Sequence, residues 1–342
     1  MVRKNQVGMG AMKKIIIDCD PGQDDAIALL LALAAEDELD LLGVTTVAGN
    51  VTLDLTQRNA RLMCDLAGRK QTRVFAGCAR PLAVDLITAT RVHGKTGIDG
   101  YPIGAPETPL QQQHAVDFIN DSLREARAGA RVGGRPGEGS GKEEGKVTLV
   151  AMGPLTNLGM AIVKQPDNVS AIESIVLMGG ALREGGNVTP SAEFNIRVDP
   201  HAADVVFSCG RPIVAMGLDV THQVLCSPKR VDRIRALSNP AAIATADMLD
   251  FFNRHDRKKY GFEGAPLHDP CTLAYLLQPD MFDGKACNIA VETRSELTLG
   301  HTAVDFWDVT GRPKNAHWVY GVDSNAFFDL LVEQLARYSV GY

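Results

Sequence analysis

No block of lysine or arginine occurs in this chain, and none of its apolar runs is long. Lys and Arg total 35 against 41 Asp and Glu, a net charge of −6. A protein that grips a nucleic-acid backbone needs a basic footprint, so that class is disfavoured. The longest uncharged apolar run, Ala26 to Ala35, has ten residues, where a membrane-spanning helix needs about 20. The first fourteen residues, MVRKNQVGMGAMKK, contain no apolar h-region and no small-residue cleavage site, so no secretory signal is read there. Residues 1–12 are expected to be a disordered leader, with Met12 as an alternative start. CxxC pairs are also missing. The seven cysteines are odd in number and scattered, which argues against zinc fingers and disulfide scaffolds and for reduced core thiols in a cytoplasmic protein.

What is present is ordinary globular composition, with 45% hydrophobic and 22% charged residues, so disordered and fibrous classes are excluded. A length of 342 residues suits two average domains or one large α/β domain. Short apolar runs lead repeatedly into helical patterns. Ile15–Cys19 precedes Asp24–Ala35, Leu39–Val47 precedes Leu53–Leu66, and Val147–Met152 precedes Leu155–Val163. Ser174–Met178 and Pro212–Met216 read as further buried strands. Strands alternating with helices predict βαβ units and a mostly parallel sheet, with ligands beyond the carboxyl ends of its strands. Residues 129–145 hold seven glycines among mixed charges and read as a surface loop inserted in one domain rather than a linker between two.

The densest chemistry lies in IIIDCDPGQDD, residues 15–25. A strand ends in Asp18 and Asp20, turns at Pro21-Gly22, and starts a helix with Asp24 and Asp25. Helix capping accounts for one or two of these carboxylates. Four within eight residues repel one another unless a cation or hydrogen-bond donors compensate, and a hard divalent cation takes oxygen ligands of this kind. Three further segments put polar groups after strands or before a helix: Thr45–Asn50, Asn187–Asn195 and Leu267–Pro270. Each alone reads equally as a turn or a cap. GKT at 94–96 is no phosphate loop, because Ala89 stands where the motif needs glycine, and Gly185-Gly186 does not extend to a dinucleotide fingerprint.

Taken together, DCDPGQDDA (18–26), TTVAGN (45–50), HGKTGIDG (93–100), GPLTN (153–157), VLMGGA (176–181), GNVTPSAEFNIRVDP (186–200), GLDVTH (217–222) and LHDP (267–270) resemble the inosine-uridine preferring nucleoside hydrolases, in family order across residues 13–340. The resemblance implies a single-domain, Rossmann-like α/β fold with an open, mostly parallel mixed sheet flanked by helices. It implies Ca²⁺-dependent hydrolysis of the N-glycosidic bond of ribonucleosides, a role in nucleoside salvage, and a homodimer or homotetramer. The ion would be held by Asp20, Asp25, the main-chain carbonyl of Met152 (where many relatives have Thr) and Asp269. Asp24 and Asn195 would hold ribose hydroxyls, Asn187 and Glu193 would address the 5′ side, and Phe194 would also contact substrate. Asn50 would sit beside the nucleophilic water, and Asp20 would be the general base. His268 is the candidate acid, since a histidine can titrate near neutrality; its alternative role is stacking or capping.

His93 lies in a segment that comes near the base in relatives, or is a loop histidine without ligand contact. His255 and Tyr260 stand in a charged stretch that reads as a lid. Trp307 and Trp318 fall in a region reading as strands, so core packing is expected of both, and no tryptophan sandwich for a purine is evident. Two rival readings stay open at this level. One is a Mg²⁺-dependent phosphohydrolase with Asp18 of Asp18-Cys19-Asp20 as nucleophile. The other is a non-catalytic nucleoside- or ribose-binding protein, which would not need the acid and base.

Overall fold

The computed structural model describes residues 12–102, 104–132 and 145–338, with the side chains of 130–132, 255–257, 259 and 260 left aside. Its elements, in chain order, are β1 (Lys13–Cys19), α1 (Gln23–Ala34), β2 (Leu39–Thr46), α2 (Leu53–Leu66), β3 (Val74–Ala76), α3 (Thr90–His93), β4 (Leu110–Gln111), α4 (Ala115–Val132), β5 (Val147–Ala151) and α5 (Thr156–Lys164). They continue with β6 (Ile172–Met178), α6 (Phe194–Val198), α7 (Pro200–Phe207), β7 (Ile213–Met216), α8 (Leu218–Thr221), α9 (Pro228–Arg235), α10 (Pro240–Tyr260) and α11 (Pro270–Leu277). The last are β8 (Phe282–Val291), β9 (Thr302–Asp305), β10 (Ala316–Val322) and α12 (Ser324–Leu335). The strands expected from the apolar runs are all present.

All ten strands join one sheet in the order β4-β3-β2-β1-β5-β6-β7-β10-β8-β9. Pairing is parallel from β4 through β7 to β10 and antiparallel for β10–β8 and β8–β9. The expected mixed, mostly parallel sheet is therefore the one observed. Alternate side chains of β1 serve opposite faces, as a pleat requires: Ile15, Ile17 and Cys19 join one core, and Ile16 joins the other. The first core also takes up α1, α11 and α12, and the second takes up α4, α5, α7 and Trp318. Every residue of α1 is buried, which suits a helix that is apolar nearly all round and is covered by other helices.

The order of connection reverses beside β1, whose neighbours are β2 on one side and β5 on the other. The chains leaving β1 and β5 diverge there and open a crevice at the carboxyl edge, the place where ligands bind in such sheets. Trp318, on β10, is fully buried as expected. Trp307 departs from expectation: it sits in a turn after β9 and is 76% exposed. The strand ends at Asp305, whose carboxylate takes the backbone N–H groups of Val309 and Thr310 and folds the chain outward. Helix α4 runs to Val132, so its last turn includes Gly129. The rest of the glycine-rich loop up to residue 144, and the expected leader up to residue 11, lie outside the described residues.

Candidate active site

A cavity of about 380 Å³ opens at this crevice. Asp24, Asn50, His93, Met152, Asn187, Glu193, Phe194, Asn195, His268 and Asp269 all line it. Asp20 and Asp25 lie buried beneath them, tied to the lining through Asn50. The Asn50 N–H donates to Asp20 Oδ2 at 2.6 Å, and its side-chain amide donates to the Asp20 carbonyl and to Asp25 Oδ2, both at 3.2 Å. Asp25 also accepts the N–H groups of Asp20 (3.1 Å) and Gly22 (3.0 Å), closing the turn that starts α1. Capping thus explains Asp25 in part, as helix starts favour an acidic group here. Asp20 is wedged between two glycines. A Cβ on Gly49 would collide with its Oδ2, and one on Gly153 would lie 2.5 Å from its Oδ1.

Asp18 is separate from this group. It is 1% exposed and lies off the cavity, where its Oδ1 accepts from Thr45 Oγ1 at 2.5 Å and Asn157 Nδ2 at 2.7 Å. Buried off the cavity, Asp18 is not placed to attack a phosphate bound there, which counts against the nucleophile role that the rival reading needed.

One carboxylate oxygen each from Asp24, Asp25 and Asp269 lies within 4.8 Å of the others, all three residues buried. Asp269 is delivered by the turn into α11, and α11 packs on α1. Burial raises the carboxyls of Asp20 and Asp269 well above the usual range and that of Asp25 to about 6, and the neighbouring aspartates push Asp20 and Asp269 further. Asp20 Oδ1 is buried with no hydrogen-bond partner among the described residues. An unpartnered buried carboxylate oxygen is costly. Acids packed so closely, with an all-oxygen donor set, fit a hard divalent cation. The acidic cluster expected from the sequence is therefore present.

The Met152 carbonyl, at the end of β5, accepts from Asn195 Nδ2 at 2.7 Å. Asn195 follows Glu193, whose carboxylate takes the N–H groups of Asn195 (2.9 Å), Gly180 (3.1 Å) and Ile196 (3.2 Å) and caps α6. Burial lifts Glu193 to about 7 against these donors. Asn187 Oδ1 accepts the Phe194 N–H at 2.9 Å, which closes the same loop.

His93, His222, His268, Phe252 and Phe262 line the cavity as well. Segment 264–268 is pinned antiparallel to 224–226 by Leu267 N–H to the Val224 carbonyl and Cys226 N–H to the Ala265 carbonyl, both 2.9 Å. His268 Nδ1 meets Thr221 Oγ1 at 2.8 Å. Burial, with His222 and His93 nearby, presses His268 down to about 3, so it is uncharged at neutral pH. That differs from the near-neutral titration expected of it, and the cause is its enclosure among rings. His222 Nδ1 faces Glu184 Oε2 at 3.0 Å, and its ring lies 5.9 Å from that of His268. Sequence reading gave no role to His222, Thr221 or Glu184, although GLDVTH directly follows β7, where polar residues face the crevice. Phe252 comes from α10, which approaches only through tertiary packing. The side chains of His255 and Tyr260, near the end of α10, lie outside the described residues.

Comparison with known proteins agrees with this geometry. Residues 15–329 match the family model described as inosine-uridine preferring nucleoside hydrolase. An uncharacterized protein of Schizosaccharomyces pombe is 47% identical over 324 residues, 95% of this chain and 99% of its own length. A pyrimidine-specific ribonucleoside hydrolase, RihA, of Shewanella sp. (strain MR-7) is 47% identical over 331 residues, 96% and 98% of the two chains. The solved purine-preferring ribonucleoside hydrolase from Gardnerella vaginalis superposes with a TM-score of 0.83 at 32% identity, covering 95% of this chain and 98% of that one. With the family model matching residues 15–329 and relatives 47% identical over nearly the whole chain, the chain belongs to the inosine-uridine preferring nucleoside hydrolase family.

Proposed function

We propose that this chain hydrolyses the N-glycosidic bond of ribonucleosides, pyrimidine ribonucleosides before purine ones, with Ca²⁺ held by Asp20, Asp25, Asp269 and the Met152 carbonyl. The observation that carries the reading is the buried acidic cluster at the cavity floor, whose members act on one another as like charges. When bound, the cation supplies Lewis acidity for water and for the ribose diol. The preference for pyrimidines rests on the 47% identity to RihA and on a base end lined by Phe252 and Phe262, with no tryptophan among the described lining residues.

The residues divide the work along the cavity. Asp20 Oδ1, unpartnered among the described residues, takes the proton of the attacking water, and Asn50 fixes the Asp20 carboxylate from its other oxygen. Asp24 and Asn195 hold the ribose hydroxyls, while Asn187 and Phe194 border the 5′ side on the loop that Glu193 braces. The acidic surroundings stabilise the positive charge that develops on the ribosyl ring in an oxocarbenium-like transition state. The buried Thr221 hydroxyl is hydrogen-bonded to His268 Nδ1; in the active form the hydroxyl donates and the His268 proton stands on Nε2. His268 then assists departure of the base by hydrogen bonding from Nε2–H. We place the active form as a homo-oligomer in the cytoplasm. No helix of the described residues is long and apolar enough to cross a membrane.

Reducing-sugar release from a panel of purine and pyrimidine ribonucleosides, with a chelator control and Asp20→Ala alongside, tests the reading. Release that is fastest from uridine and cytidine and lost in Asp20→Ala is expected. Tight nucleoside binding without release would favour the binding-protein alternative and overturn it.

A further inference from the structure

Between β6 and α6, residues 179–193 form neither helix nor strand, so their backbone N–H groups must find partners elsewhere. In the first half of this stretch the partners are side chains brought from other segments. The Gly180 N–H goes to Glu193 Oε2 at 3.1 Å, and the Ala181 N–H to Thr302 Oγ1 at 2.9 Å. Leu182 and Arg183 donate to the two carboxylate oxygens of Asp219, both at 2.7 Å. The next side chain, Glu184, faces His222 Nδ1 at 3.0 Å. The single turn of α8, with the residue after it, thus holds three consecutive residues. Gly180 and Gly185, with φ of +89° and +69°, stand on either side of them, in a left-handed backbone that suits glycine. Residues 181–184 are a short strap pinned in its middle.

The pin is itself fixed. The Leu218 N–H donates to the Gly180 carbonyl at 2.9 Å. Gln223 Nε2 donates to the Asp219 carbonyl at 2.7 Å and to the Tyr320 carbonyl of β10 at 2.8 Å. Asp219 is buried, and neither it nor the strap lines the cavity. What the strap leads into does line it: Asn187, Glu193, Phe194 and Asn195. Asn187 comes three residues after Glu184, so a shift of the strap reaches it first. Asn195 lies further on and has its own anchors, the carbonyls of Met152 and Met178.

We propose that Asp219 is a positioning residue that sets Asn187 for the 5′ hydroxyl, so that preference for a 5′-hydroxylated sugar depends on a carboxylate that does not touch the substrate. The contact of Glu184 with His222 closes the far end of the same strap. The inference rests on the nucleoside reading of the cavity and deepens it.

Uridine and 5′-deoxyuridine are compared in the unaltered enzyme, in Asp219→Asn and in Glu184→Ala. The amide of Asp219→Asn accepts from one of the two N–H groups and turns its own NH₂ towards the other, which releases half of the pin. The unaltered enzyme is expected to favour uridine by about tenfold or more in kcat/KM, as a site built around a hydroxyl does. Asp219→Asn should narrow that ratio to about threefold or less, chiefly by losing activity on uridine. A loss of purely structural origin would lower both substrates alike, and an unchanged ratio would overturn the proposal. So would an unaltered enzyme without the preference. Should Asp219→Asn fail to fold, Glu184→Ala decides by the same ratio, since that side chain is 44% exposed. In the unaltered protein the Leu182 and Arg183 amides should exchange with solvent at least about a hundredfold more slowly than in an unfolded chain; free exchange of both would also overturn the proposal. Absence of cleavage of any nucleoside by the unaltered protein would instead count against the function proposed above, and the Kd values of the two nucleosides would then supply the ratio.

Discussion

The side-chain amide of Asn195 donates to the carbonyl oxygen of Met152 at 2.7 Å. A residue expected to hold ribose is thereby joined to the main-chain atom expected to hold the cation. The bond to Asn195 uses the Met152 carbonyl, while its side chain is buried in the first core, so Met152→Ala should retain metal binding and most activity but lose about 2–5 kcal/mol of stability. Asn195→Leu should lose roughly tenfold to hundredfold in kcat/KM, since a buried carbonyl loses its donor along with the sugar contact. Steady-state kinetics on the two variants separate these outcomes; comparable losses in both would mean that the methionine side chain matters.

Removal of the metal should be visible as lost stability. A ligand that binds only the folded state at 100 times its Kd adds about 2.7 kcal/mol, and burial together with the neighbouring aspartates makes the charged forms of Asp20 and Asp269 costly without a cation. Thermal unfolding in chelator and in Ca²⁺ is expected to differ by several degrees in the unaltered protein. Asp269→Ala should abolish the difference, and a persistent shift would move the ion elsewhere.

Thr221→Val leaves the volume nearly unchanged and removes the hydroxyl that meets His268 Nδ1. If that contact sets the proton on Nε2, kcat should fall by about tenfold while KM changes little. His268→Ala should cost more, on the order of a hundredfold, in the range of lost proton assistance to a leaving group. Equal turnover of inosine and uridine by His268→Ala and the unaltered enzyme would remove His268 from the mechanism.

Glu193 gives a pH dependence with a definite sign. Burial raises it from 4.5 to about 7 in the fold. The folded state therefore holds a proton that the unfolded state releases, and the stability linked to it is complete below about 4.5 and is lost as pH rises through about 7. Glu193→Gln should flatten that part of the stability–pH curve. It should also destabilise by roughly 1–3 kcal/mol, because an amide cannot accept all three N–H groups that the carboxylate takes. Denaturant melts between pH 4 and 8 check both effects; an unaltered slope would place the titration elsewhere.

The parallel sheet was legible because its strands are short apolar runs bounded by polar turns, and such runs survive translation into structure almost residue for residue. The acidic cluster was legible because Asp20, Asp24 and Asp25 share one turn. What lay hidden was whatever depends on packing between distant segments. The lowered protonation of His268 comes from enclosure by His222 and His93, which no local pattern reveals. Trp307 was expected in the core because its region reads as strands, whereas the Asp305 turn sends it to the surface. Gln23 was given no role, and its contacts run to residues 93 and 99.

The meeting of Asp25 and Asp269 through the docking of α11 on α1 also constrains how the protein is made. The two aspartates stand 269 − 25 = 244 residues apart in the chain, so their approach is a long-range contact, of the kind that forms late because loop closure must come first. A nascent chain halted before residue 269 would carry β1, β2 and β5 and most of the sugar-facing groups, yet lack the carboxylate that completes the ion's cage. Such a chain would lack one member of the acidic cluster on which the proposed cation binding and nucleoside cleavage rest.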